Sequence, residues 1–194
     1  MTHRQTMYDA LSRAAWGYFF LYFDFNLGSV SILPAFGGYL LFLSAIKLLT
    51  EERRDLELLR PLGTLLMVWK LGDWLASWLG TTLDGRFPVV ELIISLASVY
   101  FHFQLITDCA ALAAKYQQPD QGLDRRLLKW RTRQTVLLTA MALAIYPLEY
   151  LPRWQEPVLI ALALAGFVTS LCIMFTLFDV RRIFRADPEP TEPQ

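Results

Sequence analysis

The chain has 194 residues, 55% of them apolar and 14% aromatic, with 18 Lys and Arg set against 18 Asp and Glu. The length fits one domain, and the apolar share is too high for an ordinary soluble one. Cys109 and Cys172 lie far apart in apolar stretches without metal-ligand spacing, which argues for buried packing and against a disulfide or a zinc site.

The zero net charge conceals a segregation. Fifteen of the 18 basic residues fall into four clusters: Arg4 and Arg13; Lys47, Arg53, Arg54 and Arg60; Lys115, Arg125, Arg126, Lys129, Arg131 and Arg133; and Arg181, Arg182 and Arg185. Long apolar stretches separate the clusters, and the intervening turns hold only Arg86 and Arg153. Short cytoplasmic loops retain Lys and Arg because these resist translocation. The alternation predicts an all-α, polytopic helical membrane protein, with six transmembrane helices in one bundle and both termini cytoplasmic. Such clusters are expected to touch anionic lipid headgroups, not nucleic acid.

A helix needs about 20 mostly apolar residues to cross the hydrocarbon core. The first predicted helix runs from about Tyr8 to Asn26 and the second from Leu33 to Thr50, joined by a tight outer turn. A competing reading makes Phe25 to Ile46 one crossing, with an interfacial segment before it. Gly28, Pro34 and the Gly37-Gly38 pair fall inside that candidate and favour a break near Leu33-Pro34. Charge parity agrees, since six crossings leave fifteen basic residues inside and two outside, and five leave thirteen and four. Ala14 to Phe23 is apolar, but Asp24 follows and no small-residue cleavage site appears, so no cleavable signal is expected.

The remaining crossings are Pro61 to Leu79, Pro88 to Leu112, Thr135 to Leu151 and Val158 to Phe178. Pro61, Pro88 and Pro157 stand where a first-turn proline is tolerated. Asp124 is the expected N-cap of a helix beginning at Arg125. Tyr22, Trp74, Trp78, Tyr146, Tyr150 and Trp154 fall near the outer ends, where amphipathic rings prefer the headgroup level. Gly72, Ala76 and Gly80 form a small-residue ridge suited to helix packing. Residues 1–185 are expected to form the single domain. The acidic, proline-rich tail at 186–194 is expected to be disordered and cytoplasmic.

The stretch at 25–42 (FNLGSVSILPAFGGYLLF) carries a further signal. It resembles an uncharacterised family of small six-helix bacterial membrane proteins with a motif like F-N-x-G-x-x-x-I-L-P-x-F-x-G-Y near the N-terminus. Asn26, Gly28, Ile32, Leu33, Pro34, Phe36, Gly38 and Tyr39 match. Ser31 and Ala35 stand where that family often has acids, so a role of those acids is absent or relocated here. The resemblance implies the six-helix topology and a bacterial plasma-membrane location, and it implies no activity.

Ionisable residues within crossings are costly and mark candidate sites. Glu91, Ser95, Ser98 and His102 follow at steps of four, three and four, which aligns them on one helical stripe. Lys70, Asp73 and Ser77 share a face of the third crossing, where Lys70 and Asp73 are spaced to pair. With Asp24, Tyr146 and Glu149 they compose an expected polar, outward-facing pocket in which acids oppose Lys70 and His102. Plain packing and hydrated boundary positions are the competing account of the same residues.

No G-x-S-x-G, H-E-x-x-H or phosphate-cradling glycine loop is present, so neither a catalytic set, a cofactor nor a metal is expected. Size, topology and the aromatic outer face resemble the substrate-binding subunits of energy-coupling-factor vitamin transporters, with Ala10 and Ala14 a faint echo of their coupling motif. The sequence thus points first to a subunit that binds or transports a small solute. The alternative is a non-catalytic accessory protein packed against a membrane partner, and a membrane-embedded enzyme comes third.

Overall fold

The computed structural model describes residues 3–22, 26–27, 30–31, 35–81, 83, 86–145 and 155–185. Among these the chain forms six α-helices: α1 (His3–Tyr22), α2 (Ala35–Leu49), α3 (Leu59–Trp78), α4 (Pro88–Tyr116), α5 (Leu123–Ile145) and α6 (Gln155–Arg182). The described β-structure is a two-residue antiparallel ladder, β1 (Asn26–Leu27) with β2 (Val30–Ser31), in which Asn26 faces Ser31 and Leu27 faces Val30. One continuous helix from Phe25 to Ile46 is therefore not what forms. Helix begins only at Ala35, directly after Pro34, because a proline disfavours helical geometry in the residue before it.

Local chemistry explains the helix ends. Pro88 opens α4 at its first position. The end of α3 is a Schellman motif: Gly80 takes φ of 67°, its N–H donates to the Ser77 carbonyl at 3.1 Å, and the Thr81 N–H donates to the Ala76 carbonyl at 3.0 Å. Asp124 does not cap α5 as expected, because the helix already begins at Leu123. Gln117 does that work from across the turn. Its Oε1 accepts the N–H groups of Leu123 (2.9 Å) and Asp124 (3.3 Å), and its Nε2 donates to the Asp124 carboxylate at 2.7 Å. That last bond holds the Asp124 carboxyl below the usual aspartate range.

Helices that follow one another in the chain pack together, and α6 returns to α1, so the six close a ring. Tyr18, Phe42, Phe101 and His102 are buried at its centre. The close backbone approach is not along the Gly72, Ala76 and Gly80 ridge: a Cβ on Gly72 would only touch Leu83 at 3.5 Å, and one on Gly80 would meet nothing. It lies between α1 and α2, where a Cβ on Gly38 would fall 2.8 Å from the Gly17 carbonyl oxygen. Gly63 on α3 instead makes room for side chains, since a Cβ there would meet Leu43 at 2.9 Å and Phe101 at 3.0 Å. Small residues let these helices touch.

Two helices, Pro88–Tyr116 and the Pro157–Arg182 part of α6, are long and apolar enough to cross a membrane. Of the others, α3 (Leu59–Trp78) follows the expected Pro61 to Leu79 closely, and α2 and α5 differ from their expected spans for visible reasons. α2 has 15 residues, a rise of about 22 Å. α5 carries Asp124, Arg125, Arg126, Lys129, Arg131 and Arg133 in its first half, so Thr135 onward is only the apolar remainder of a longer helix. The end of that expected crossing, after Ile145, lies outside the described residues. So do Tyr146, Tyr150 and Trp154 of the aromatic belt and the tail at 186–194.

Contacts between helices gather the four basic clusters at one end of the bundle. His3 lies 3.4 Å from Glu52, which also accepts a hydrogen bond from Lys115. Arg13 donates to Ser44, Arg181 donates to Ser12 at 3.0 Å, and Arg126 lies 3.6 Å from Asp179. The first turn of α1 and the last turn of α6 therefore share an end.

Candidate functional site

His102 is the deepest member of the predicted stripe, 2% exposed. Its Nδ1 hydrogen-bonds the Tyr18 hydroxyl at 3.2 Å, and the rings of Tyr39, Phe42 and Phe101 surround it. Nε2 has no hydrogen-bond partner among the described residues. The imidazole thus pins α4 to α1 in an aromatic box.

One to two turns away along α4, the stripe opens onto space. A cavity of about 290 Å³ lies between α2, α3, α4 and α5. Its polar lining residues are Tyr39, Lys70, Ser95 and Ser98. Leu66, Ile94, Leu138 and Met141 supply apolar walls. The Tyr39 and Ser98 hydroxyl oxygens are 3.5 Å apart, which orients one by the other. Residues 94–99 of α4 lie in its first half and Lys115 in its last turn, so the cavity is toward the end opposite the basic clusters.

The predicted set therefore divides. Lys70, Ser95 and Ser98 come together around the cavity, joined by Tyr39, which the motif at 25–42 had singled out only as a match. Asp73 does not line it and forms no ion pair with Lys70 among the described residues. Its Oδ1 instead accepts the Leu83 N–H at a long 3.4 Å, tying the turn after α3 to that helix. Glu91, half-buried in the first turn of α4, does not line the cavity either. Asp24, Tyr146 and Glu149 lie outside the described residues. Among the described residues the lining holds one cationic residue and three hydroxyl-bearing ones, with neither Asp73 nor Glu91 beside them.

Sequence reading missed a second polar layer nearer the basic end. Asp108 on α4 is fully buried, accepts a hydrogen bond from Gln104 at 3.1 Å and lies 3.5 Å from the Arg53 guanidinium. Arg131 on α5 donates to Thr107 at 3.0 Å and stacks over the Phe103 ring at 4.2 Å. Gln134, also buried, donates to the Tyr22 hydroxyl at 3.3 Å. Tyr22, the last residue of α1, is thus tied to α5 through its hydroxyl. The signal available in the sequence was Asp108 itself, an acid inside the span from Pro88 to Leu112. Cys109 beside it is buried and Cys172 half-buried, and both are free thiols.

No family model, curated protein or solved structure matches the chain.

Proposed function

We propose that this chain is a multi-pass protein of the bacterial plasma membrane, related to the small six-helix family that its motif at 25–42 resembles, and that it binds a small organic anion as a solute-binding or transport subunit. Every one of the six helices keeps large apolar side chains exposed, among them Trp16, Leu40, Val68, Ile93, Leu143 and Phe175. Exposed apolar surface on all helices suits lipid contact and is rare on soluble monomers. The shared basic end supports cytoplasmic termini and an even number of crossings.

The cavity between α2 and α5 carries the functional reading. Lys70 is its one charged lining residue among those described, and the hydroxyls of Tyr39, Ser95 and Ser98 flank it. At about 30 Å³ per non-hydrogen atom, 290 Å³ accommodates about ten such atoms. A compact carboxylate with a short apolar body satisfies the ammonium, the hydroxyls and the apolar walls together.

Thermal unfolding of the full chain in detergent, with short monocarboxylates and their matched neutral amides, tests this. Carboxylates should raise Tm, and Lys70→Met should abolish the rise. Equal failure of both classes in the wild type would favour the accessory, partner-packing reading. Topology is tested separately in a chain lacking Cys109 and Cys172. Outside labelling should reach Asp84→Cys and Trp154→Cys and miss Asp55→Cys and Asp120→Cys.

A further inference from the structure

A second cavity, of about 550 Å³, opens at the basic end of the bundle, where the first turn of α1, the turn between α4 and α5 and the end of α6 meet. Three arginines line it: Arg4, Arg182 and Arg185. Asp179 is its one acid, and both carboxylate oxygens are already engaged, one with Arg182 at 3.3 Å and the other with Arg126 at 3.6 Å. Among the described residues neither Arg4 nor Arg185 forms an ion pair. Gln118 and Gln121 add neutral amide donors on one side, and Leu123 and Ile183 add an apolar wall. The arrangement is built from three separate stretches of chain, so it exists only in the folded bundle.

From this geometry we infer that the cavity binds a phosphate-bearing anion, with its apolar wall fitted to the glyceryl and first acyl carbons of an anionic phospholipid. Arginine forks match phosphate oxygens in pairs, and two unpaired guanidinium groups on one concave surface repel each other until an anion lies between them. A basic pocket between helices at the cytoplasmic face is where a lipid headgroup reaches such groups. The lipid source rests on the membrane reading above; the phosphate site itself does not, and it is independent of the Lys70 cavity.

The test uses the full chain purified in neutral detergent. Native mass spectrometry would count retained phosphatidylglycerol against phosphatidylcholine, and calorimetric titration would follow inorganic phosphate. The wild type should retain about one phosphatidylglycerol and little phosphatidylcholine, and the Arg4→Gln/Arg185→Gln double variant should lose at least tenfold in retention. Gln121→Glu, an exposed turn substitution that places a carboxylate in the cavity without touching the core, should weaken retention several-fold in a chain that folds normally. Arg125→Gln/Lys129→Gln removes two cations from the basic end outside the cavity and should leave retention unchanged. Tight inorganic phosphate binding without lipid retention, lost in the same variants, would keep the site and make its ligand soluble. Equal loss in the two double variants would reduce the effect to general surface charge and overturn the site. Absence of both lipid retention and phosphate binding in the wild type would do the same.

Discussion

The two ends of this bundle handle charge in opposite ways. At the basic end, carboxylates meet cations: Glu52 is held by Lys115 and Tyr116, Asp108 by Arg53 and Gln104, and Asp179 by Arg126 and Arg182. Toward the other end, Lys70 lines a cavity, and Asp73, three residues further along α3, instead accepts the backbone N–H of Leu83 in the turn after that helix. Ion pairs that satisfy one another fix helices in place and leave nothing for a ligand. A cation left facing a cavity keeps its interaction free energy for whatever enters. Outside the cavity lined by Arg4 and Arg185, the same residue types therefore serve as fasteners at the basic end, and Lys70 serves as a candidate receptor toward the other.

The largest expected effect comes from breaking a fastener. Asp108 is fully buried, while the Arg53 side chain is 31% exposed. Arg53→Ala strands the carboxylate away from water, and removing one member of a buried pair costs on the order of 3 kcal/mol. Gln104 still bonds Asp108, which holds the estimate at the low end of that range. Equilibrium unfolding of the purified chain should show the loss. A change indistinguishable from that of an exposed control such as Arg125→Ala would mean that Asp108 is stabilised without Arg53.

Next in size is His102→Leu. The substitution removes the bond to Tyr18 and leaves a buried hydroxyl unpartnered, at about 1–3 kcal/mol. Carboxylate binding in the Lys70 cavity should persist, because His102 does not line it. Loss of binding in a variant of near-native stability would move the histidine from the frame to the site.

How far the sequence foretold this division depends on the scale of the interaction. Long-period features were legible: the four basic clusters do share an end, and Pro34, Pro61 and Pro88 do stand at or beside helix starts. Ser95, Ser98 and His102 do share a stripe, since helical periodicity alone sets that alignment. What the stripe could not reveal is where a neighbouring helix closes over it. Tyr18 and Phe42 fill the space beside His102, and Leu138 and Met141 stand back from Ser95 and Ser98. The Gly72, Ala76 and Gly80 ridge misled for a related reason, since small residues permit close packing and the partner helix decides where it happens. Asp108 escaped notice because an acid near a predicted boundary reads as hydrated until a tertiary partner from another turn covers it.

A third prediction concerns the receptor end. Lys70→Met should change stability by no more than about 0.5 kcal/mol, since Lys70 lines a cavity and forms no ion pair among the described residues. Combined with Asp73→Leu, the two losses should add to within about 0.5 kcal/mol. A larger coupling in the double-mutant cycle would establish a Lys70–Asp73 pair and turn this end, too, into a fastener.

The smallest effect is expected from pH, again at the basic end. Hydrogen bonds from Lys115, first, and from Tyr116, second, hold the Glu52 carboxyl below the usual glutamate range in the folded chain. A carboxyl whose folded pKa is depressed releases its proton more readily when folded. Its contribution to stability is therefore complete above the unfolded glutamate value of about 4.3 and is lost as pH falls through the lower folded value. The Lys115 partner is largely solvated, with 61% of its side chain exposed, so water and salt screen most of the attraction. Wild type and Glu52→Gln should then differ slightly and constantly in Tm above that range, and the difference should shrink as acid protonates the wild-type carboxylate. A gap that widened in acid would reverse the sign of the linkage and show that Glu52 is a strained contact in the folded chain, held there by packing around Tyr116 and not by its cation.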